Sequence, residues 1–444
     1  MNREERRKAI RRRRIFIALC ALLLAVLITL ISILGIKIFD AISGDDSNET
    51  KPSTSQSENE DKTPKKIASA TVINTGDILV HNAVLDGAKT SSGEYDFTPF
   101  FTEADDYFKK ADLAVINLEV TLGGTQAGSY KGYPAFNTPD SLVDAIKSAG
   151  IDICLTANNH SYDTGMYGMV RTVQVLKEKQ MGYIGTRETA DEPAFIVKDV
   201  NGIKMGMACY TYENTSSGRK SLNGNVLKAE AEPLVNSFDY NHIDTFYAEA
   251  EAVISEMKKN NADCIIFYMH WGNEYKLSPN TWQKTIAQKL CNLGVDVIVG
   301  GHPHVLQPME MIYAEGSEHK TVCLYSTGNS ISNQRIEEMT GVITSGHTED
   351  GVLFSFTFDK YSDGTTVLSA VDAIPTWVNK VGSRYKAKYT MYPLESASFG
   401  TDKYGMDSAT AQKMQKSFER TKALLAESLT ACQTALGCNV RFAD

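Results

Sequence analysis

Val295-Asp296-Val297-Ile298-Val299-Gly300-Gly301-His302-Pro303-His304 is the stretch from which the rest of the chain can be read. A short, mostly β-branched run ends in two glycines and then two histidines. A strand covered on both faces reads as an apolar run rather than an alternation. In an extended segment residues i and i+2 point to the same side, so His302 and His304 are expected to face one partner.

The same arrangement recurs at five other places. Ala70–Asn74 leads into Thr75-Gly76-Asp77, and Leu113–Leu118 ends in Asn117-Leu118-Glu119. Ile151–Ala157 leads into Asn158-Asn159-His160, with Asp163 just beyond. Cys264–Met269 leads into His270-Trp271-Gly272, and Val322–Tyr325 into Ser326-Thr327-Gly328-Asn329. Between these runs, helical periodicity is expected over Pro139–Ala149, Met166–Gln180, Asp244–Asn260 and Thr281–Leu293. Two hairpins add antiparallel character: Ala194–Val200 and Ile203–Tyr210 about Asn201-Gly202, and Val352–Phe358 and Thr366–Ile374 about Ser362-Asp363-Gly364. A last helix is expected over Ser408–Ala435. Alternating strands and helices predict a layered α/β domain.

In such sheets ligands bind outside the carboxyl ends of the strands, so six polar strand ends predict one assembled site. Taken singly, each has a plain alternative. Asp77 reads equally as a turn cap, Glu119 as a solvated carboxylate, Asn159-His160 as turn residues, and His270 beside Trp271 as a core histidine. Of the eight histidines, His160, His270, His302 and His304 fall in the clusters. His81 lies just past the first one. His242, His319 and His347 lie in hydrophilic stretches, the last two expected to be exposed. Carboxylate, amide and imidazole without thiolate suit Mn, Fe or Zn, and argue against a structural zinc site. Two such cations sharing a ligand would polarise a phosphoryl oxygen and activate a water. A nearby histidine outside the ligand set could protonate the leaving oxygen.

Charge and hydropathy set the surroundings. The chain has 444 residues and a net charge of -9. Residues 1–14 carry eight Lys/Arg and two Glu, +6, which leaves -15 for the remainder. That acidic body offers no footprint for nucleic acid. Ile15–Ile36 is uncharged and as a helix would span about 33 Å, enough for a bilayer core of about 30 Å. Arg11–Arg14 on its N-terminal side predicts a cytoplasmic N-terminus. The expected organisation is a basic tail (1–14), a transmembrane signal anchor (15–38), a flexible linker (39–66) rich in Ser, Thr and charge, a folded body (67–380) and a C-terminal helical extension (381–444). The main domain is therefore expected outside the cell membrane. Most of the eight cysteines sit inside apolar runs and read as small buried hydrophobes, with Cys432 and Cys438 near enough in sequence to pair.

From Ala68 to Lys380 the order and spacing of these motifs resemble the CapA family of bacterial capsule or poly-gamma-glutamate synthesis proteins. They are Gly76-Asp77, Asn117-Leu118-Glu119, Ala157 to Gly165, His270-Trp271-Gly272, Gly300 to His304 and Tyr325 to Asn329. That family is similar to the calcineurin-like metallophosphoesterases. The resemblance implies a four-layer α/β/β/α sandwich of two facing mixed sheets. It gives Asp77 the place of a first-metal ligand, with His304, and Glu119 that of the bridging carboxylate. Asn159, His270 and His302 take the second metal. His160 takes the place of the catalytic acid, oriented by Asp163. It implies a metal-dependent phosphoester hydrolase in envelope-polymer assembly, with an anionic polymer or its precursor and other capsule synthesis proteins as partners. The sequence departs from the wider pattern at Leu79, where Asp-x-His would place a histidine, and in the length of Glu119. His81 could substitute only if the chain turns after Asp77. Ser330-Ile331-Ser332-Asn333 is also more polar than the pattern's aromatic continuation. These departures leave open an alternative, a noncatalytic subunit of a synthesis or export complex.

Overall fold

Continuous burial along the apolar runs is what the backbone answers to. In the computed structural model, residues 63–216, 218–382, 387–395 and 403–442 are described. The expected tail, membrane anchor and most of the linker lie outside them. No helix among the described residues is long and apolar enough to cross a membrane.

One sheet holds β1 (Lys66–Ile78), β2 (Leu113–Leu118), β3 (Ile153–Leu155) and β4 (Gly182–Ile184) in parallel. The long hairpin of β15 (Asp350–Tyr361) and β16 (Thr366–Val381), followed by β17 (Lys388–Pro393), adds antiparallel strands beside β1. The other sheet is built on the parallel set β6 (Ile203–Ser216), β10 (Cys264–His270), β11 (Val297–Gly301) and β13 (Lys320–Thr327). Antiparallel β5 (Phe195–Val200) and β12 (Leu306–Tyr313) flank that set, and the small strands β7 (Arg219–Leu222), β8 (Asn225–Val226) and β9 (Ser237–Asp239) extend β6. All seven residues of β10 are buried, as a strand covered on both faces requires.

Alternation divides the side chains of each central strand between two cores. Val72, Leu113, Val115, Met205, Met207, Ile266, Val297, Leu324 and Phe356 meet between the sheets. On the outer face of the first sheet, Ile73, Ala114 and Ile116 pack with Leu142 and Ile146 of α3 (Ser141–Ser148) and Leu176 of α4 (Gly165–Glu178). Two shorter helices, α1 (Asn82–Ala88) and α2 (Asp105–Lys110), join that layer through Val84 and Phe108. On the outer face of the second sheet, Ile265, Phe267 and Ile298 pack with Phe246 and Ile254 of α5 (Ile243–Lys259) and Ile286 and Leu290 of α6 (Thr281–Leu293). Helix α6 starts on a reciprocal cap between Asn280 and Gln283 and ends at Gly294, whose φ of 92° a side chain would resist. Hairpin β5–β6 turns on Asn201 (φ 53°) and Gly202 (φ 84°), the left-handed pair that a two-residue hairpin needs.

The stretch 381–444 is more than a helix. Strand β17 completes the first sheet, and α7 (Ser408–Leu436) sends Leu425, Leu429 and Cys432 into the core between the sheets. The cysteines among the described residues are free thiols, Cys432 and Cys438 included.

Candidate metal centre

Parallel strands deliver their carboxyl ends to one edge. Asp77 is in register with Asn117 of β2 and Asn329 of β14 (Asn329–Ile331), while His270 is in register with Gly301. The chain passes from β13 of one sheet to β14 of the other through Gly328 alone. The two sheets therefore meet beneath this edge. Close approach demands small residues here. A methyl group on Gly76 would stand 2.1 Å from the Gly328 carbonyl oxygen, and one on Gly300 2.0 Å from that of Tyr325.

The structure brings together all eight predicted site residues. Asp77, Glu119, Asn159, His160, His270, His302 and His304 are buried, none more than 4 % exposed. Glu119 is common to two groups whose ligand atoms lie within 4.8 Å of one another, one with His302 and His304 and one with Asp77 and His270. These two groups set His270 beside Asp77 and His302 beside His304, while the shortest contacts, His304 to Asp77 and His270 to Asn159, follow the grouping the resemblance implies. His270 Nε2 lies 2.8 Å from Asn159 Oδ1 and 3.4 Å from Glu119 Oε1. His304 Nδ1 is 3.3 Å from Asp77 Oδ2, and its Nε2 is 3.8 Å from Glu119 Oε1.

The route by which His302 and His304 converge differs from the extended segment expected. Both have positive φ, 94° and 55°. Strand β11 has already ended, and the backbone turns left-handed at each histidine. Non-glycine residues in that region cost roughly 1–3 kcal/mol each and persist where surroundings enforce them. The His302 amide donates to Asp77 Oδ2 at 3.2 Å, which fixes the turn to the first strand.

A divalent cation fits these atoms. Glu119 Oε1 and His302 Nδ1 are buried with no hydrogen-bond partner, and His304 Nδ1 faces only the Asp77 carboxylate, at 3.3 Å. Buried polar atoms are otherwise nearly always paired, since an unpaired one costs about 1–3 kcal/mol. The ion-pair partners of Asp77 and Glu119 among the described residues are histidines. Burial opposes charge on His304, yet the Glu119 and Asp77 carboxylates hold its pKa up, to about 9. Burial and the neighbouring His270 and His304 push His302 the other way, well below its ordinary value. Burial works against the Asp77 carboxylate, but His304 and His270 outweigh it and lower its pKa. The two carboxylates call for positive charge at this spot, and the imidazoles beside them can ligate a cation that supplies it. A methyl group on Gly301 would come within 2.9 Å of Asp77 Oδ1 and crowd the same space.

Beside this cluster, Asp163 Oδ2 accepts from Phe136 N at 2.7 Å and lies 2.7 Å from His160 Nδ1. The second contact occupies Nδ1 and leaves Nε2 for other work. Phe136 stands edge-on to the His160 ring at 4.7 Å. The loop holding His160 is tied by Ser161 Oγ, which donates to Thr156 O at 2.6 Å.

Asn117 is the residue the sequence reading passed over. Its amide donates to Asp77 Oδ1 at 2.7 Å and lies 3.4 Å from both Glu119 Oε2 and His270 Nδ1. Asn158 in turn donates to Asn117 Oδ1 at 3.2 Å. The signal was its place two residues before Glu119, on the same side of a strand that is otherwise apolar. Tyr212, whose ring lies 4.7 Å from that of His302, was also missed, because it lies inside β6 and carries neither carboxylate nor imidazole.

His81 does not replace the histidine absent at Leu79. It precedes α1, its Nδ1 accepts from Asn333 N at 3.2 Å, and it belongs to neither ligand group. Burial, with His304 and His160 nearby, lowers its pKa to about 4. His319 and His347 are less exposed than expected: His319 Nε2 lies 2.9 Å from Val295 O, and the His347 side chain is 16 % exposed.

The family model described as bacterial capsule synthesis protein PGA_cap matches residues 71–334. The chain is 26% identical over 268 residues to the capsule biosynthesis protein CapA of Bacillus anthracis, a match covering 60% of each chain. It is 26% identical over 295 residues to the PGA biosynthesis protein CapA of Bacillus subtilis, covering 64% of this chain and 69% of that one. The match to the first of these relatives thus spans under two thirds of its length. Among solved structures, the NAD nucleotidase of Haemophilus influenzae aligns with 83% of this chain and 59% of its own at 12% identity and a TM-score of 0.43, a likeness too loose to carry an argument.

Proposed function

From the premise that the chain belongs to the bacterial capsule synthesis protein family PGA_cap, we propose that it is a membrane-anchored, extracytoplasmic, metal-dependent phosphoester hydrolase acting in capsule or envelope-polymer assembly. One observation carries the reading. Glu119 sits in both ligand-compatible groups, and its Oε1 is buried without a hydrogen bond, with only imidazoles beside it. Asp77, Glu119, His270, His302 and His304, with Asn159, are the residues that would hold two divalent cations. Those cations would supply Lewis-acid stabilisation of charge on a phosphoryl oxygen. His160 would deliver a proton from Nε2 to the leaving oxygen as the phosphorus–oxygen bond to it breaks and the bond to a water oxygen forms. Asp163, fixed to Nδ1, would hold the ring in the orientation this needs. The two facing mixed sheets with helices on their outer faces, the uncharged Ile15–Ile36 segment and the basic flank before it fit the same reading.

Elemental analysis and turnover of bis-p-nitrophenyl phosphate by the full chain test it. Bound divalent metal with activity lost on chelation is expected. A chain that neither retains nor titrates a divalent metal would sink the reading. The leucine at position 79 favours a second reading, a cation-binding but noncatalytic subunit of a synthesis or export complex. His160→Ala separates the two: loss of polymer output with complex assembly intact excludes the noncatalytic subunit.

A further inference from the structure

Beside His302 the surface opens into a cleft of about 530 Å³. Three aromatic side chains lead into it from outside. Trp282, in the first turn of α6, is 41 % exposed, although the other two tryptophans, Trp271 and Trp377, are at most 1 % exposed. Its ring is 5.6 Å from that of Tyr240, which is 6.4 Å from Tyr212, whose ring in turn is 4.7 Å from His302. The series runs from solvent to the ligand cluster without a break. The rest of the lining is Gly272, Asn214, Asn273, Glu274 and Lys276, with Asn280, whose amide is engaged by Asn273 and by the cap of α6.

We propose that this cleft is a saccharide subsite, which seats a neutral sugar ring of the substrate against Trp282 and Tyr240 while the ester to be cleaved lies at the cluster. Aromatic faces offer apolar area at small entropic cost, and a few polar groups among them fix orientation. An amide both donates and accepts, as a hydroxyl does, so Asn214 and the Asn273 amide nitrogen suit a polyol better than a carboxylate, and adenosine serves as the competing probe. With Glu274 and Lys276 balancing one another, the lining has no surplus positive charge with which to hold a polyanionic peptide. The position of the ester rests on the hydrolase reading, but binding of the ring does not.

Trp282 is the exposed tryptophan, so emission from the full chain reports on the cleft. Titration with chitotriose, cellotriose and maltotriose is expected to give a saturable change with at least one of them. Tyr240→Ala should raise that dissociation constant about tenfold. Trp282→Ala, on the exposed surface of α6, should weaken the same binding in calorimetry. Silence with all three sugars, a response to adenosine or a γ-linked glutamate tetramer at equal or lower concentration, or binding indifferent to both substitutions overturns the proposal. Turnover without sugar binding removes this inference alone, and sugar binding without turnover removes only the hydrolase reading.

Discussion

Two buried polar networks of this protein end in opposite ways. Where α7 crosses β15, Asp350 Oδ1 accepts from Ser417 Oγ at 2.6 Å and from Arg420 Nη2 at 2.7 Å, and Oδ2 accepts from Arg420 Nε at 2.8 Å. Each carboxylate oxygen is satisfied within the protein. At the strand ends the carboxylates face imidazoles at 3.3 Å and more, and Glu119 Oε1 and His302 Nδ1 make no hydrogen bond. The first network is closed and serves to fasten a helix across the edge of the sandwich. The second is open, and its unsatisfied atoms converge on one small volume. Burial alone does not distinguish structural charge from functional charge; completeness of pairing does.

The largest effect expected from breaking that contrast is at the closed network. Arg420→Ala leaves Asp350 buried without its cation and should cost about 3–5 kcal/mol in urea unfolding. A loss below about 1 kcal/mol would mean that α7 is held by its apolar face alone.

Asp350 should also impose a pH dependence of its own. Burial costs this carboxylate more than Arg420 and Ser417 return, and its pKa rises from an ordinary 3.8 to about 6. A folded-state pKa above the unfolded one means the native state binds the proton more tightly. The contribution therefore favours folding most below about pH 4, declines as pH climbs to about 6, and is flat beyond. Against Asp350→Asn, the relative stability of the natural protein should fall by roughly 2 kcal/mol between pH 4 and pH 7. A constant difference between the two proteins would show that the pair is not desolvated as described.

At the open network the same kind of change should act on metal rather than on folding. Glu119→Gln removes a carboxylate that burial already penalises, so stability without metal should hold or rise. Divalent affinity should drop about 100-fold, a change of roughly 2.7 kcal/mol. If the variant unfolds instead, the cluster belongs with the closed kind. Asn117→Ala is the milder version. It removes a side chain that orients Asp77, Glu119 and His270 without being counted as a ligand, and about tenfold weaker binding by metal titration is expected.

Much of the layered core was legible from local pattern. Thr281–Leu293 is helical over its expected span, and the β5–β6 hairpin turns where Asn201-Gly202 stands. Boundaries moved where the backbone responds to neighbours. The run Ile151–Ala157 pairs only over Ile153–Leu155, because the chain then turns to present Asn159 and His160. The stretch Val295–Val299 shifted to Val297–Gly301, because Gly300 and Gly301 lie in register with Met269 and His270. The roles of His81 and Asn117 were not legible. One sits beside the cluster with its nitrogen already engaged, and the other touches three ligand candidates that lie in different strands.

What the sequence determined by itself is which residue types end each strand, because periodicity and burial act over a few neighbours and leave their mark in order. It also carried the family. The tertiary structure alone decided that His302 and His304 meet through a left-handed turn, and that α7 closes one edge through Asp350. Asp77 and the His302 amide are 225 positions apart. Contacts at such separation are settled by how two sheets stack and twist, and no local pattern records that.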